Sequence, residues 1–430
     1  MGNSLLTGTT RVEVPFIKVT IGDFTFGAFT KKDLGKTSDG FFKMAGITYP
    51  NYIQSLNVQK INGQVNTYTL QFIYPITPGD DPNFFEKVFS SVSQTRKIVF
   101  SYGDMASPEY IYRNERAIIT KINTAFDQRT SKITYTVNAT SSASLANSAG
   151  KYFPKLTNTK PSDVIKKMLK DPTNGLMDLF TGMANGAIVE REQLIADDDL
   201  AIDISAQPSM TPLAYIKYLV GQMIPIGTKQ NTNKIQSFYA LTIHDEAENE
   251  TLPSGFSGRN LGGPYFKIKK VSKNIQHSDA YDIIIGYPTA TIVTDFSIEN
   301  NENYSIYYDY QNKLNKNEFV ARLNDDGEWI REYAPSISSN SDSFKTTEAD
   351  KVWWSKITQY PISATVTIKG LLRPALLMEY VNLQVYFFGH KHISSGLYII
   401  TKQVDNISTS GYRTTLNLTK VAGEDEEDYR

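Results

Sequence analysis

Few residues of this sequence could carry out chemistry, and the histidines are the first to consider. There are four of them, at positions His244, His277, His390 and His392. A strand would place His390 and His392 on the same side, as a metal site with two histidine ligands requires. No acidic residue lies near them in the sequence, and we interpret them as exposed loop histidines. The run His244-Asp245-Glu246 is interpreted in the same way, as a polar strand end.

Two groups of acidic residues could serve glycoside hydrolysis, which uses two carboxyl groups about 5 to 9 Å apart. The groups are Asp295, Glu299 and Glu302, and Asp325, Asp326 and Glu328. Nothing in the sequence marks either group as buried. The run Asn324-Asp325-Asp326-Gly327 is typical of a hairpin turn. Neither group has the spacing of an EF-hand calcium loop.

Other catalytic patterns are missing from the sequence. The glycines between residues 255 and 263 lack both the lysine of a phosphate-binding loop and dinucleotide-binding spacing, so they predict a flexible loop. There is no Gly-x-Ser-x-Gly motif, and the absence of cysteine excludes thiol nucleophiles, thiolate metal sites and disulfides. We therefore predict no catalytic, cofactor-binding or metal site, and we expect that the chain is not an enzyme.

The composition favours a β-rich protein of several domains. A chain of 430 residues is long enough for two to four domains, and its 26 Tyr and 22 Phe suit half-buried sheet surfaces. The net charge of −1 provides no bulk basic face for clamping nucleic acid. No stretch reaches the roughly 20 apolar residues of a membrane span, so we expect no stable membrane insertion. The N-terminus lacks a secretory signal, and the lack of cysteine fits assembly in a reducing cytosol.

The first 145 residues alternate between apolar and polar residues as β-strands do. The alternating runs around Asn62-Gly63 predict a hairpin, because both residues tolerate the positive φ of a tight turn. Asp81-Pro82, followed by apolar residues at helical spacing, predicts a short helix capped by Asp81. Further strands are predicted at 17–21, 97–102, 116–125 and 132–139. The Ser/Ala/Asn run at 140–150 is interpreted as a linker.

The middle of the chain has mixed α/β character. Helices are predicted to begin at Pro161 and at Thr211-Pro212, since each start is followed by apolar residues three and four apart. An acidic stretch is interpreted as solvated; it contains Asp197, Asp198, Asp199 and Asp203.

Strand patterns return after residue 263. Candidate strands are 283–285, 291–293 and 304–310, and a polar tract follows at 336–343. Four regularly spaced strands are predicted at 364–368, 381–387, 397–400 and 416–418, a spacing typical of an antiparallel barrel or sandwich. The two similar β blocks raise the possibility of an internal duplication, although no residue-by-residue repeat supports it.

The last block contains a recognisable series of segments. They are ISATVTIKG at 362–370, LLMEYVNL at 376–383, SGLYIIT at 395–401 and GYRTTLNL at 411–418, preceded by Trp353-Trp354. A G-x-Y-x-I/V strand after a glycine-containing loop, and a final strand with T-x-L, resemble the closing module of baseplate hub proteins of long-tailed, contractile phages. The hub part of type VI secretion spikes is similar. The resemblance covers roughly residues 350–423, with a weaker match over 265–335.

The resemblance implies a mainly β fold, in which two tube-like antiparallel β-barrel domains flank a mixed α/β region. The corresponding division is 1–145 for a first barrel domain with one helix, 146–262 for the middle domain, and 263–430 for a second barrel domain. The last domain would carry a polar insertion around 295–350 and an acidic tail at 423–430. We interpret the tail as a solvated terminus, with docking on a basic partner as the alternative.

The function implied by the resemblance is mechanical. Three copies would form a homotrimeric ring whose six barrels match the six-fold tail tube and hand over to the three-fold spike. The partners would be a tail tube or distal tail protein, the central spike protein and the tape-measure protein. DNA would pass through the lumen without sequence-specific binding. The protein would then be located in the baseplate of the virion, after assembly in the host cytoplasm.

The alternative function is a carbohydrate-binding or depolymerising tail protein. Tyr304, Tyr307, Tyr308 and Tyr310 could stack on sugar rings, although strand alternation would bury about half of them. A generic cell-surface β protein is a further alternative, against which the missing secretory signal argues.

Overall fold

The alternating sequence patterns produce one sheet of sixteen strands, together with a smaller mixed region. The computed structural model describes residues 3–4, 15–22, 24–29, 49–50, 52–76, 79–90, 97–104, 113–147, 149–170, 194–224, 237–245, 265–272, 281–286, 293–300, 320–323, 329–332, 362–369, 377–392, 394–408 and 410–422. Several predicted features lie outside these residues: His277, Glu246, Glu302, Asp325, Asp326, Glu328, the glycines at 255–263, the strand at 304–310, the polar tract at 336–343, Trp353-Trp354 and the acidic tail.

The N-terminal part forms strands and one helix much as predicted. Its elements are β1 (Asn3–Ser4), β2 (Pro15–Ile21), β3 (Phe24–Phe29), β4 (Tyr49–Pro50), β5 (Ile53–Ile61), β6 (Thr67–Pro75), α1 (Phe84–Ser90), β7 (Lys97–Asp104), β8 (Arg113–Asp127) and β9 (Lys132–Ser141). Strands β5 and β6 pair as the predicted antiparallel hairpin, and Gly63 in its turn has a φ of +68°, whereas Asn62 does not have a positive φ. Helix α1 begins later than predicted, because the Asp81 carboxylate accepts from Asn83 N at 2.9 Å and leaves Phe84 as the first helical residue.

The predicted linker at 140–150 is wrong. Strand β9 continues to Ser141, and a 3-10 helix follows at Ser142–Asn147. Ala143 and Ala146 of this short helix are buried against the middle of the chain. The small residues that suggested a flexible linker therefore allow close packing instead.

In its described residues, the middle part contains two helices and three two-stranded sheets. Its elements are β10 (Lys151–Phe153), β11 (Leu156–Thr159), α2 (Pro161–Lys170), β12 (Ile202–Ile204), β13 (Gln207–Met210), α3 (Pro212–Gln222), β14 (Ser237–His244) and β15 (Tyr265–Ser272). Both helices were predicted, and Thr211 caps α3 by accepting a hydrogen bond from Ala214 N. The three sheets pair β10 with β13, β11 with β12, and β14 with β15.

The C-terminal part returns to strands. Its elements are β16 (Tyr281–Ile285), β17 (Val293–Asn300), β18 (Val320–Leu323), β19 (Trp329–Glu332), β20 (Ile362–Lys369), β21 (Tyr380–Phe387), β22 (His390–Lys391), β23 (Gly396–Ser408) and β24 (Gly411–Ala422). All four regularly spaced strands are present. Strands β18 and β19 pair antiparallel around the predicted turn at 324–327, which itself lies outside the described residues.

Two blocks of the large sheet have the same strand order. In the first block, β2 and β5 to β9, the order is β5-β6-β9-β8-β7-β2; in the second block, β16, β17, β20, β21, β23 and β24, it is β17-β20-β24-β23-β21-β16. The sixth strand differs in direction, since β2 is antiparallel to β7 whereas β16 is parallel to β21. The mainly β fold is confirmed, and its two β blocks have matching topology.

The two blocks also agree residue by residue, including their irregularities. Strand β5 has a register shift between Ile53 and Ser55 where it pairs with β6, and β17 has one between Val293 and Asp295 where it pairs with β20. A second pair of shifts lies between Ile119 and Lys121 in β8 and between Ile400 and Lys402 in β23. Matching bulges fix one alignment of the two blocks, because a bulge changes the facing of every residue beyond it.

This alignment reveals a short sequence repeat that the sequence analysis missed. Ile-Ile-Thr-Lys occurs at 118–121 and again at 399–402, and Thr-x-Asn-x-Thr occurs at 136–140 and at 415–419. Both copies of each motif occupy equivalent strand positions. The possible internal duplication, for which the sequence alone showed no residue-by-residue repeat, therefore gains two short repeated motifs in its support.

Each block has its own hydrophobic core, and the middle part has a third. The first core includes Leu56, Leu70 and Phe100, and the second includes Val366, Leu383 and Leu416. The core of the middle part joins α2 and α3 to β14 and β15. No helix in the described part of the chain is both long and apolar enough to cross a membrane.

Candidate assembly interface

The two blocks are joined by strand pairing within one chain. Residues 402–408 of β23 pair antiparallel with residues 55–61 of β5, from Lys402 opposite Ile61 to Ser408 opposite Ser55. We call this pairing the junction. Because the other half of β23 pairs with β21 of its own block, this long strand belongs to both blocks.

The junction completes the core of the first block with side chains from the second. Ile407 of β23 and Tyr412 of β24 are 1% exposed and belong to the first core. The Tyr412 ring meets Tyr102 edge-on, with 6.5 Å between ring centroids. The β23–β24 hairpin therefore reaches out of its own block to cover the edge of the next one.

A buried carboxylate is held inside this hairpin. Asp405 is fully buried, and its oxygens accept hydrogen bonds from Gln403 Nε2 at 2.7 Å, Tyr412 OH at 3.2 Å and Thr414 Oγ1 at 2.6 Å. Three donors around a buried carboxylate replace the water that it loses on folding. The Asp405 carboxylate is thus satisfied by directional hydrogen bonds within the hairpin, whereas the Gln403 Oε1 atom is buried without a partner among the described residues.

A buried ion pair lies beside the junction in the first block. Lys60, which pairs in register with Gln403, forms a salt bridge with Glu115, and both side chains are 7% exposed. Tyr102 OH donates to the second Glu115 oxygen at 3.0 Å. Breaking such a pair is costly, because the remaining charge stays buried without its partner.

The middle part attaches to the same region through Asp245, which directly follows β14. This carboxylate is 2% exposed and accepts from Asn66 Nδ2 at 2.8 Å, Tyr68 OH at 3.0 Å and the Ser141 hydroxyl. Its backbone oxygen accepts from Arg116 N at 2.7 Å. The predicted polar, exposed strand end at 244–246 is therefore wrong for Asp245, which anchors the middle part to the first block.

Two neighbouring groups in this anchor titrate with opposite effects on stability. Burial, together with the nearby Glu115 charge, raises the pKa of Asp245 to about 6, against the lowering effect of its hydrogen bonds from Ser141, Asn66 and Tyr68. Loss of hydration lowers the pKa of His244 to about 3, helped by the charges of Lys60 and Lys267. The imidazole stays neutral, bonded to Thr242 Oγ1 and stacked on Tyr265.

We expect these two groups to be separable by pH. From pH 7 to 5, the folded chain takes up a proton at Asp245 before the unfolded chain does, which adds about 1 kcal/mol of stability. Over the same range the unfolded chain protonates His244 and the folded chain does not, which removes about 2 kcal/mol. Asp245→Asn should therefore lose more stability than wild type on acidification, and His244→Gln less, in urea unfolding at both pH values. Identical pH slopes in all three proteins would contradict this assignment.

The alignment of the blocks identifies a second pair of edges equivalent to the junction. Residues 121–127 of β8 correspond to 402–408 of β23, and β17 corresponds to β5. Among the described residues, this half of β8 pairs only with β9, and β17 only with β20. Both edges of the second pair thus lie without a neighbouring strand within the described part of the chain.

Side chains at the second pair of edges are more exposed than the equivalent side chains at the junction, as expected when the neighbouring strand is missing. Phe126, equivalent to the buried Ile407, is 59% exposed. In β17, Phe296 and Ile298 are half-buried, whereas the equivalent Leu56 and Val58 of β5 are fully buried. The second pair of edges therefore presents apolar groups to solvent where the junction buries them.

The structure does not bring together the histidines and acidic residues that were considered for metal binding or glycoside hydrolysis. His390 is exposed. The His392 Nδ1 atom lies 2.7 Å from the Ser394 hydroxyl, with which it forms a hydrogen bond. Asp295 and Glu299 lie exposed on β17. Within the described ranges, no three His, Asp or Glu side chains form a group that could hold a metal ion.

The prediction of a solvated acidic stretch at 197–203 is wrong for Asp199, while Asp198 is partly exposed and paired. Asp199 is fully buried and accepts from the backbone N and hydroxyl of Ser162, at the start of α2. Asp198 accepts from Tyr239 OH at 2.6 Å and from Lys270. Asp197 is exposed and pairs with Lys166. These acids hold α2 and β14 in place.

Sequence reasoning missed the polar residues of the junction, although a signal for them exists. Lys60 lies on the same inward-facing side of β5 as Leu56 and Val58. Asp405 lies on the same inward-facing side of β23 as Ile407. A charged residue in the inward phase of an alternating strand predicts a buried polar contact.

The comparisons with known proteins concern the fold. No family model matches the chain, and no curated protein matches it. A tail protein from Neisseria meningitidis MC58 matches with a TM-score of 0.50 at 9% identity, over 96% of this chain and 97% of that one. The 43 kDa tail protein of prophage MuSo2 from Shewanella oneidensis matches with a TM-score of 0.49 at 10% identity, over 95% and 97% of the two chains.

A third match is the E. coli c3393 protein, described as a component of the type VI secretion system with structural similarity to the T4 bacteriophage tail proteins gp27 and gp5. It has a TM-score of 0.43 at 9% identity, over 86% of this chain and 74% of that one. The predicted resemblance to tail proteins is confirmed at the level of the fold by the match to the Neisseria meningitidis protein. Over almost its whole length, this chain shares its fold with the tail protein from Neisseria meningitidis MC58.

Proposed function

We propose that the protein is a structural baseplate hub of a phage tail, in which three copies form a ring. One observation carries the proposal: the chain contains two equivalent blocks, joined by one junction, with the equivalent second pair of edges exposed. A chain of this kind can repeat its internal contact between copies. Three copies would supply six equivalent blocks around one axis.

The ring would adapt the six-fold tail tube to a three-fold spike. On one side, six similar blocks would match six subunits of a tail tube or distal tail protein. On the other side, the middle parts would be present in only three copies, which suits a trimeric spike. A lumen through the ring would pass DNA or tape-measure protein without sequence-specific binding, since the net charge of −1 gives no bulk basic surface. The protein would reside in the virion baseplate.

We also propose the three-part division at 1–145, 146–262 and 263–430, with a barrel-like domain at each end. The three separate hydrophobic cores support a division of this kind. The pairing of β14 with β15 crosses the boundary at 262, so the second and third parts would be linked through this hairpin. Of the polar insertion around 295–350, residues 295–300 belong to β17, and the rest would lie between β17 and β20, where the first block has only the Asn62-Gly63 turn.

The test is the mass of the particle in solution. Light scattering on the purified chain, alone and mixed with a candidate spike protein, should give a particle of three times the 48.3 kDa chain mass. Negative-stain images should show a ring with a central opening. A protein that remains monomeric at every concentration and in every mixture would rule out the hub. Glycan binding or cleavage by the purified chain would favour the carbohydrate-directed alternative.

A further inference from the structure

The junction within the chain gives a residue-level template for a contact between chains. Its register places Ile407 opposite Leu56, Asp405 opposite Val58 and Asn406 opposite Asn57. The alignment fixed by the matched bulges assigns each of these residues one equivalent residue in the other block. Phe126 takes the place of Ile407, and Phe296 takes the place of Leu56.

We propose that residues 121–127 of β8 pair antiparallel with β17 of a second copy of this chain. The template register sets Phe126 opposite Phe296, Thr124 opposite Ile298 and Ala125 opposite Ser297 of the second copy. This inference rests on the proposed ring and names the strands and the register that close it. The occupant of each exposed edge is another copy, because the same chain already carries both halves of the contact.

Burial at the junction indicates what the contact between copies would cover. Leu56, Val58 and Ile407 are at most 1% exposed where the two blocks meet, whereas Phe126 is 59% exposed and Phe296 and Ile298 are half-buried. Pairing would bring the Phe126 ring onto the edge of the second core, next to Phe296. An aromatic pair buried across antiparallel strands stabilises a sheet beyond its buried area.

One pair in this register is unfavourable by itself, since Asp127 comes to lie opposite Asp295. The Asp127 carboxylate is directed into its own turn, where it accepts from Thr130 Oγ1 at 2.7 Å and Arg129 N at 3.0 Å. Asp295 accepts from Phe296 N at 3.0 Å. Both charges are therefore directed to local donors at the rim of the contact, where solvent screens them.

The contact is head-to-tail, which determines the form of the assembly. The hairpin β8–β9 of one copy covers the β17 edge of the next, just as the hairpin β23–β24 covers β5 within each copy. Each copy thus uses two different surfaces, and an interface of this kind closes into a ring when its rotation divides a full turn. Alternating internal and external junctions would give six successive blocks from three chains.

Cross-linking tests this register directly, because the chain has no native cysteine. The variant Ala125→Cys/Ser297→Cys should form covalent dimers and trimers on mild oxidation, and reducing agent should dissolve them. The register control Ala125→Cys/Gln54→Cys joins the same donor strand to a β5 residue outside the proposed edge and should remain monomeric on denaturing gels. The single variant Ala125→Cys controls for random collision.

The outcomes separate this inference from the proposed function. A wild-type trimer with an efficient, register-dependent cross-link supports both. A wild-type trimer in which the Ala125/Ser297 pair links no better than the controls overturns the strand pairing and leaves the ring in place. A monomeric wild type that does not cross-link overturns both, and a monomer that cross-links specifically supports the contact at low affinity while counting against a stable hub.

Discussion

Replacing Glu115 with alanine should lower the free energy of unfolding by about 3–5 kcal/mol, the usual cost of removing one partner from a buried ion pair. The Lys60 ammonium would remain buried beside the junction without its counter-ion, and Tyr102 OH would lose its acceptor. The double replacement Lys60→Met/Glu115→Leu should recover most of this loss, because it removes both charges together. Urea unfolding of the wild type, Lys60→Met, Glu115→Leu and the double variant measures the coupling.

The exposed ion pair between Lys87 and Asp81 is the matched control. Its side chains are 70% and 40% exposed, so Lys87→Ala should change the unfolding free energy by less than about 1 kcal/mol. A similar small effect for Glu115→Ala would show that Lys60 reaches water when its partner is removed. The assignment of a buried charge at the junction would then be wrong.

The local features of the fold could be predicted from the sequence because local chemistry determines them. Asn62-Gly63 defines a hairpin by its tolerance of positive φ, and Thr211-Pro212 starts a helix by capping and by a preset φ. Alternation located the strands of both blocks. The resemblance of the last block to hub proteins then indicated the fold that the whole chain adopts.

The burial of Asp199 and Asp245 could not be predicted, because it depends on which elements meet, whereas strand alternation does carry a signal for Lys60 and Asp405. Asp199 and Asp245 occur in acidic or polar runs that are typical of solvent-exposed loops, yet each is enclosed by donors from distant parts of the chain. Asp245, for example, lies next to Ser141 only because β14 ends against the first block. Because Asp245 and Ser141 are far apart in the sequence, no local sequence pattern indicates their contact.

The repeat was hidden for a different reason. The two repeated motifs are four and five residues long and use residues that are common in strands. They therefore do not stand out in a chain of 430 residues. The segment between β17 and β20 is also far longer than the turn between β5 and β6. Only the paired bulges establish that Lys121 and Lys402 are equivalent. From this equivalence follows the prediction with the sharpest contrast.

Ile407→Ala and Phe126→Ala change equivalent positions but should affect different properties. The first should lower the stability of the single chain, and the second should weaken self-association. Ile407 is buried within the chain, so its truncation should cost about 2–5 kcal/mol in urea unfolding. Phe126 is exposed in the single chain, and its truncation should change the stability of the monomer by no more than about 0.5 kcal/mol. Phe126→Ala should instead weaken self-association about 30-fold or more, as loss of a central aromatic anchor does.

The control for this contrast is Phe388→Ala, which removes a ring that is 102% exposed and lies away from both pairs of edges. It should alter neither unfolding nor self-association. Unfolding is measured at a concentration where the wild type is monomeric, and association by light scattering over a dilution series. Undiminished association of Phe126→Ala would mean that copies meet elsewhere. The result expected here would show that one strand contact, encoded twice, holds the blocks together within a chain and joins the chains to one another.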